Sequence, residues 1–307
     1  MGSIEWVLGM RVYTSDDRKT LQLSSSNYVQ TILDRADAHH LSVSPVPMHH
    51  QCKLTKDMCP TSDADIDFMA NIPYRTIIGM LLYLMVSSRP DIAFAVCTCA
   101  RFMDCPGREH WNAVLTILKY LKGTPDLRIT YSSTATTDIP VLHGYSDADW
   151  ATYDDIDTRR SHTGYVFYLA NGPIAWKSRL QSSISLSSMD SEYYSMGDAA
   201  KEAIELREVH HETNKLLSSD VKSLPTTIYA DNASSIKLSA NPVYHQRSKH
   251  IGIRHHFLRQ LVEENIIRFE YVASADNIAD ILTKPLHKKV YVPLRSRLMG
   301  KFTVLLK

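Results

Sequence analysis

The chain has 307 residues, of which 44% are apolar and 22% charged, and a net charge of +1. That composition belongs to a globular protein with chain enough for one large or two ordinary cores, and it excludes general disorder. The near-neutral balance excludes a polycation that coats nucleic acid by bulk charge, while local basic patches stay open.

The amino terminus lacks a charged and apolar leader pattern, and "MGSIEW" lacks the Ser or Thr that myristoylation needs at position six. Cys52, Cys59, Cys97, Cys99 and Cys105 show no disulfide framework, which points to a reducing compartment. A cytoplasmic or nuclear protein is expected, not a secreted one. The longest apolar run, Thr76 to Val86, is too short to span a bilayer, so no membrane partner is expected.

Residues 1–130 read as a helix-rich module. "SNYVQTILDRA", "YRTIIGMLLYLMVSS" and "HWNAVLTILKYLKG" carry helical spacing, the last through Trp111, Val114, Ile117, Leu118 and Leu121 with Gly123 as its stop. Cys97, Cys99 and Cys105 with His110 raise the question of zinc. The C-x-C pair lies on the apolar pattern "DIAFAVCTCARFM", where packing is the better reading. The cluster 63-DADID-67 reads as a solvated polar loop. "YSSTATTDIP", residues 131–140, has the composition of a linker.

Downstream the period changes. "PVLHGYSDA" reads as a strand and "GYVFYLANGPIAWKS" as a hairpin turning at Asn171-Gly172. A long helix runs from about Met189 to Leu217, with Ser188 or Asp190 as N-cap. The strand "TTIYA", a short helix "NASSIKLS", a helix through "IRHHFLRQLVEE" and the alternating strand "IIRFEYV" follow. A last helix is expected to start near Asp276. Residues 141–290 thus form an α/β domain, and 291–307 a tail.

Four acids fall at the ends of these elements. Asp147 ends the first strand, and Asp231 follows "TTIYA" and doubles as a helix-start residue. Glu192 shares the i, i+4, i+7, i+11 stripe of Met196, Ala199 and Ala203, the face that packs on the sheet. A carboxylate there is costly without a cation or donors. Asp280 sits among Ile278, Ala279, Ile281 and Leu282. Acids at strand ends and helix starts can converge at one sheet edge. Four hard carboxylates suit two Mg²⁺ ions, or Mn²⁺, rather than zinc. Two such ions roughly 3.5–4 Å apart can activate a water and stabilise the leaving oxygen of a phosphodiester. Strand periodicity puts Tyr145, Asp147 and Asp149 on one face, so spacing alone does not choose between the two aspartates.

"GYSDADW", "DTRRSHTGYVFYLANGPIAWKSRLQSSISLSSMDSEYYSM", "IYADNASSIKLSANPVYHQRSKHIGIRHHFLRQ" and "NIADILTKPL" resemble the RNase H domain of copia-type LTR retrotransposon polyproteins. "VLGMRV", "YRTIIGMLLYLMVSSRPDIAFAV" and "EHWNAVLTILKYLKGT" resemble the thumb or connection segment between the reverse transcriptase palm and RNase H. The likeness is co-linear over nearly the whole chain. It implies an RNase H-like mixed five-stranded sheet with flanking helices, and two-metal cleavage of the RNA strand of RNA–DNA hybrids. By the resemblance, Asp147, Glu192, Asp231 and Asp280 are the catalytic and metal-binding acids. Asp147 would bridge both ions, Glu192 and Asp231 complete one shell, and Asp280 serve the other. Asp149 becomes an outer neighbour. Tyr153-Asp154-Asp155 falls inside the RNase H match, so it does not replace the polymerase's Tyr-x-Asp-Asp hairpin, which this chain lacks. Gly252 stands where the family's "KHIDIR" has Asp, and no His precedes Asp280 as in some RNase H enzymes.

Arg159, Arg160, Lys177, Arg179, Arg247, Lys249 and Arg254 are the cations expected to hold the hybrid through phosphate contacts. His250, His255 and His256 lack a Cys partner and are expected to pack or touch nucleic acid. The expected partners are the hybrid and the polymerase half of the same polyprotein. The competing expectation is an inactive, truncated relic that only binds nucleic acid. A transposase or integrase shares the sheet but is disfavoured by the "SSMDSEY" glutamate on the first long helix and by the order "YADN" then "NIAD".

Overall fold

The first 132 residues contain a sheet that hydrophobic periodicity does not announce. The structure, a computed structural model, describes residues 4–133, 141–151, 157–217, 224–240 and 252–301. Strands β1 (Trp6–Val7), β2 (Met10–Thr14), β3 (Thr20–Ser24) and β4 (Ile129–Ser132) form an antiparallel sheet in that order. The expected helix-rich module is therefore corrected to helices plus a sheet. Its strands are short and half exposed, and β4 reaches β3 only after all the intervening helices. Tyr131 and Ser132 belong to β4, so the expected linker loses its first two residues; 134–140 lie outside the described residues.

The helices come where apolar spacing predicts them. They are α1 (Ser26–Arg35), α2 (Asp63–Ala70), α3 (Tyr74–Ser87), α4 (Ala93–Ala100) and α5 (Arg108–Gly123). Helix α2 corrects the loop expected over 63-DADID-67. Ser62 caps it by accepting the Asp65 N–H, and Asp63 and Asp65 in its first turn suit the positive end of the helix dipole. Cys97 and Cys99 sit on α4, where burial pushes the Cys97 thiol up to about 11. His110 stacks on Phe102 at 4.0 Å and its Nδ1 accepts the Gly107 N–H at 2.9 Å. These groups pack and do not converge as metal ligands.

The second sheet holds β5 (His143–Asp149), β6 (His162–Leu169), β7 (Gly172–Leu180), β8 (Thr226–Ala230) and β9 (Ile267–Tyr271), ordered β7-β6-β5-β8-β9. Pairs β5–β6 and β6–β7 are antiparallel, and β5–β8 and β8–β9 parallel. This is the mixed five-stranded sheet expected. The hairpin turn is Ala170-Asn171, both at positive φ (50° and 59°), because Leu169 pairs with Gly172. Gly172 is thus a strand residue, kept small by the Tyr131 ring against it.

Helix α6 (Ser188–Leu217) crosses one face of this sheet, and Met196, Ala199 and Ala203 are fully buried there with Tyr165 and Phe167. Its cap is one residue earlier than expected: the Ser187 hydroxyl accepts the Asp190 N–H, and Asp190 accepts the Leu186 N–H. Helices α7 (Ala233–Ala240) and α8 (Gly252–Glu263) complete this layer. The intervening residues of β6, Val166 and Tyr168, face the other way, into the core built by α1, α3, α4 and α5. Strand β6 is buried on both faces because each module covers one of them.

The helix expected to start near Asp276 is corrected to two 3₁₀ turns, Ser274–Asp276 and Ile278–Leu282, which precede α9 (Lys288–Leu298). The break falls at Asn277, which is extended (φ −73°, ψ 105°) and whose side chain accepts the Ala279 N–H to start the second turn, and Pro285 then keeps Lys284 out of helical geometry. The expected tail from 291 is corrected as well. Tyr291, Leu294 and Leu298 of α9 are buried, and the Tyr291 hydroxyl donates to the Asp91 carbonyl at 2.8 Å. Among the described residues, no single helix is long and apolar enough to cross a membrane.

Candidate active site

Asp147 lies near the end of β5, opposite Gly164 of β6. Asp231 directly follows β8, the parallel neighbour of β5, so the two carboxylates share one edge of the sheet. Asn232, not Asp231, caps α7, its Oδ1 accepting the Ser235 N–H at 2.9 Å; the double duty expected of Asp231 is corrected. Glu192 reaches the same edge from the first turns of α6. One carboxylate oxygen from each of Asp147, Glu192 and Asp231 lies within 4.8 Å of the others, the metal-ligand grouping found among the described residues.

The surroundings hold these groups rigidly. Thr283 donates its hydroxyl to Asp147 Oδ2, and Asn277 Nδ2 lies 3.5 Å from Oδ1 while donating to the Ser146 carbonyl at 3.0 Å. Ser195, one turn beyond Glu192 on α6, donates to the Asp147 carbonyl at 2.6 Å. Asp280 falls outside that group of three but lies close enough to Asp147 to raise it electrostatically. It lies in the Ile278–Leu282 turn, and Lys284 places its ammonium 2.8 Å from Asp280 Oδ1.

Burial and mutual repulsion raise every shifted carboxyl here. Asp147 is pushed up to about 7, first by burial, then by Asp280, with Lys284 and the Thr283 hydroxyl opposing. Glu192 is held well above the ordinary range by burial and then by Asp147 and Asp231. Asp280 is raised by burial against the pull of Lys284, and burial lifts Asp149 to about 6. Raised carboxyls that converge at one site are candidates for functional groups.

The donors fit a hard divalent cation. All three converging ligands are carboxylates, with no thiol or imidazole among them. Glu192 is 6% exposed, and its Oε2 has no hydrogen-bond partner. A buried carboxylate oxygen left without a donor is costly unless a cation meets it.

The expected cations fare unevenly. Arg159, Arg160 and Lys177 are exposed, the first two on the approach to β6 and the third on β7. Arg179 has its guanidinium engaged by the Asp198 carboxylate of α6. Arg247, Lys249 and His250 lie outside the described residues, as do Tyr153, Asp154 and Asp155 and the side chains of Arg254 and His255. Spacing arguments missed Asn277, Thr283, Lys284 and Ser195; the first three lie at −3, +3 and +4 from Asp280, a proximity that brings them to Asp147 only in the folded turn.

No protein-family model matches the chain. It is 37% identical over 284 residues, 92% of its length, to the retrovirus-related Pol polyprotein of transposon TNT 1-94 of Nicotiana tabacum. It is 37% identical over 278 residues, 88% of its length, to that of transposon RE2 of Arabidopsis thaliana. The chain spans only 20% and 17% of those polyproteins. Among solved structures, the N-terminal RNase H domain of a Mycobacterium tuberculosis protein matches at 12% identity with a TM-score of 0.35. That match covers 51% of this chain and 96% of the other.

Proposed function

We propose that this chain, which belongs to the Pol polyprotein family of plant copia-type transposons, works as the ribonuclease H part of that polyprotein and hydrolyses the RNA strand of RNA–DNA hybrids. The observation that carries this reading is the convergence of Asp147, Glu192 and Asp231 with an unpartnered, buried Glu192 oxygen. Divalent ions, Mg²⁺ or Mn²⁺, would be held by these three and Asp280. When bound they supply charge neutralisation at phosphorus and ease deprotonation of the attacking water.

The chain's own residues prepare that chemistry. Thr283 and Asn277 fix the two oxygens of Asp147, so its orientation is set before substrate arrives. Ser195 ties the Asp147 backbone to α6 and thereby sets the distance to Glu192. Asp231 projects from the first residue after β8, where Asn232 takes over capping. Such pre-organised carboxylates need little rearrangement at the moment of reaction. Arg159, Arg160 and Lys177 would meet phosphates of the hybrid, and selectivity for RNA would come from helix shape and 2′-hydroxyl contacts. The inactive-relic reading is not favoured, since the acids are assembled rather than dispersed.

Incubating the whole chain with a labelled RNA–DNA hybrid and Mg²⁺ or Mn²⁺ tests the proposal. Cleavage of the RNA strand alone is expected, and the Asp147→Asn, Asp231→Asn double variant should abolish it. No cleavage with either ion by the folded chain, or cleavage that survives the double substitution, overturns it.

A further inference from the structure

Lys284 belongs to neither the acid set nor the phosphate-binding set, yet it sits in the acid cluster. Its ammonium is 2.8 Å from Asp280 Oδ1, one helical turn along the chain, and its side chain is 33% exposed. Asp147, Asp280 and Asp149 all act on it electrostatically, and their charges raise its pKa against the opposing effect of burial. Lys284 is therefore ion-paired to Asp280 and its charge also reaches Asp147 and Glu192, while Asp147, Glu192 and Asp231 form no ion pair of their own among the described residues.

Building on the metal-dependent reading above, we infer that Lys284 is a resident counter-cation that takes the place of the second divalent ion, so that the chain without nucleic acid binds one ion and not two. The geometry supplies the reason. A divalent ion at Asp147, Glu192 and Asp231 feels the Lys284 charge through Asp147 but has no ion pair to break. An ion seeking Asp280 must displace Lys284 from the same oxygen and then sit beside its positive charge. Repulsion between an ammonium and a divalent ion at contact distance is large even with substantial screening. The tether keeps the ammonium close, because Lys284 follows Asp280 by four residues. Lys284 thus acts through Asp280 as a positioning residue and sets how many ions the free site holds.

Titrating the metal-free whole chain with Mn²⁺, and following loss of the free-ion electron paramagnetic resonance signal, reads the stoichiometry without any turnover. The wild type should bind one ion tightly, and Asp147→Asn should remove it. Lys284→Gln and Lys284→Met should bind two, the second filling at a Mn²⁺ concentration lower by about tenfold or more. Lys284→Arg, which keeps the charge, should still bind one. Circular dichroism selects the folded variant of the neutral pair. Two ions in the wild type, or an unchanged count and midpoint in a folded neutral variant, overturn the role of Lys284 and leave the metal site standing. No Mn²⁺ bound by the wild type overturns the metal site and this inference together.

Discussion

Trp176 of β7 donates its indole N–H to the main-chain carbonyl of Met85 on α3 at 3.0 Å, joining the five-stranded sheet to the first module. Nearby, the ring of Phe94 on α4 meets His162 of β6 edge-on at 5.0 Å. The two modules therefore share a core through Val166 and Tyr168. Calorimetry on the whole chain should show one cooperative transition, whereas residues 131–307 alone should expose that face and melt lower or aggregate. Two well-separated transitions in the whole chain would refute a shared core.

A buried ion pair lies at the same junction. Arg89 donates twice to Asp91, each bond 2.8 Å, and once to the Thr124 carbonyl at 3.0 Å, while Tyr120 donates to Asp91 Oδ2. Arg89→Met strands a buried carboxylate and should cost about 3–5 kcal/mol in urea unfolding. Arg89→Met with Asp91→Leu should cost clearly less, because no charge is left alone. Equal losses in the single and double variants would show that packing, not the unpaired charge, dominates.

The acid cluster makes stability depend on pH in an unusual direction. Asp147 titrates near 3.8 when unfolded and at about 7 when folded, so between these values the folded chain holds a proton that the unfolded chain has released. Stability then falls as pH rises from about 4 to about 7 and levels off above, with about 4 kcal/mol at stake at roughly 1.4 kcal/mol per unit. His110 and His143, lowered by burial, tilt the curve oppositely toward neutral pH. The measurement is therefore the difference between wild type and Asp147→Asn in EDTA. Asp147→Asn should gain on the wild type as pH rises from 5 to 7.5, and millimolar Mg²⁺ should narrow the gap. A gap independent of pH would contradict the assignment.

Gly164 pairs with Asp147 across the sheet, and a Cβ there would lie 2.7 Å from Thr283 Cγ2 and 2.8 Å from Leu282 Cβ. Gly164→Ala should push away the segment that carries Asp280, Thr283 and Lys284. We expect a loss of about 1–3 kcal/mol in stability and weaker Mn²⁺ binding with secondary structure retained. Unchanged metal affinity would mean that the segment can shift without moving its acids.

Much of the site was legible because its acids lie on elements with strong local signals. Glu192 belongs to an unbroken apolar stripe on α6, and Asp147 and Asp231 terminate strands of alternating or apolar character. What stayed hidden depends on non-local contact. Strand β4 finds β3 only after five helices have packed. Arg179 carries no local mark of its pairing with Asp198, a residue on α6 that folds back over β7. Thr283 and Lys284 look like ordinary loop residues until the turn at Ile278–Leu282 folds them onto β5. The apolar pattern of Ile278, Ile281 and Leu282 resembles a helix, but Asn277 is extended and opens only a 3₁₀ turn that Pro285 keeps from growing.

The bond from Tyr291 to the Asp91 carbonyl has a temporal consequence. During synthesis, the segment around Asp91 leaves the ribosome long before residue 291 is made. Until then the Asp91 carbonyl lacks its donor, and the surface that receives α9 stays open to water or to a chaperone. The core of the first module is completed by Tyr291 and Leu298 of α9, residues translated after all four acids. Completion of the fold is thereby coupled to completion of the site, and a nascent chain stalled before α9 would carry all four acids on an unfinished protein.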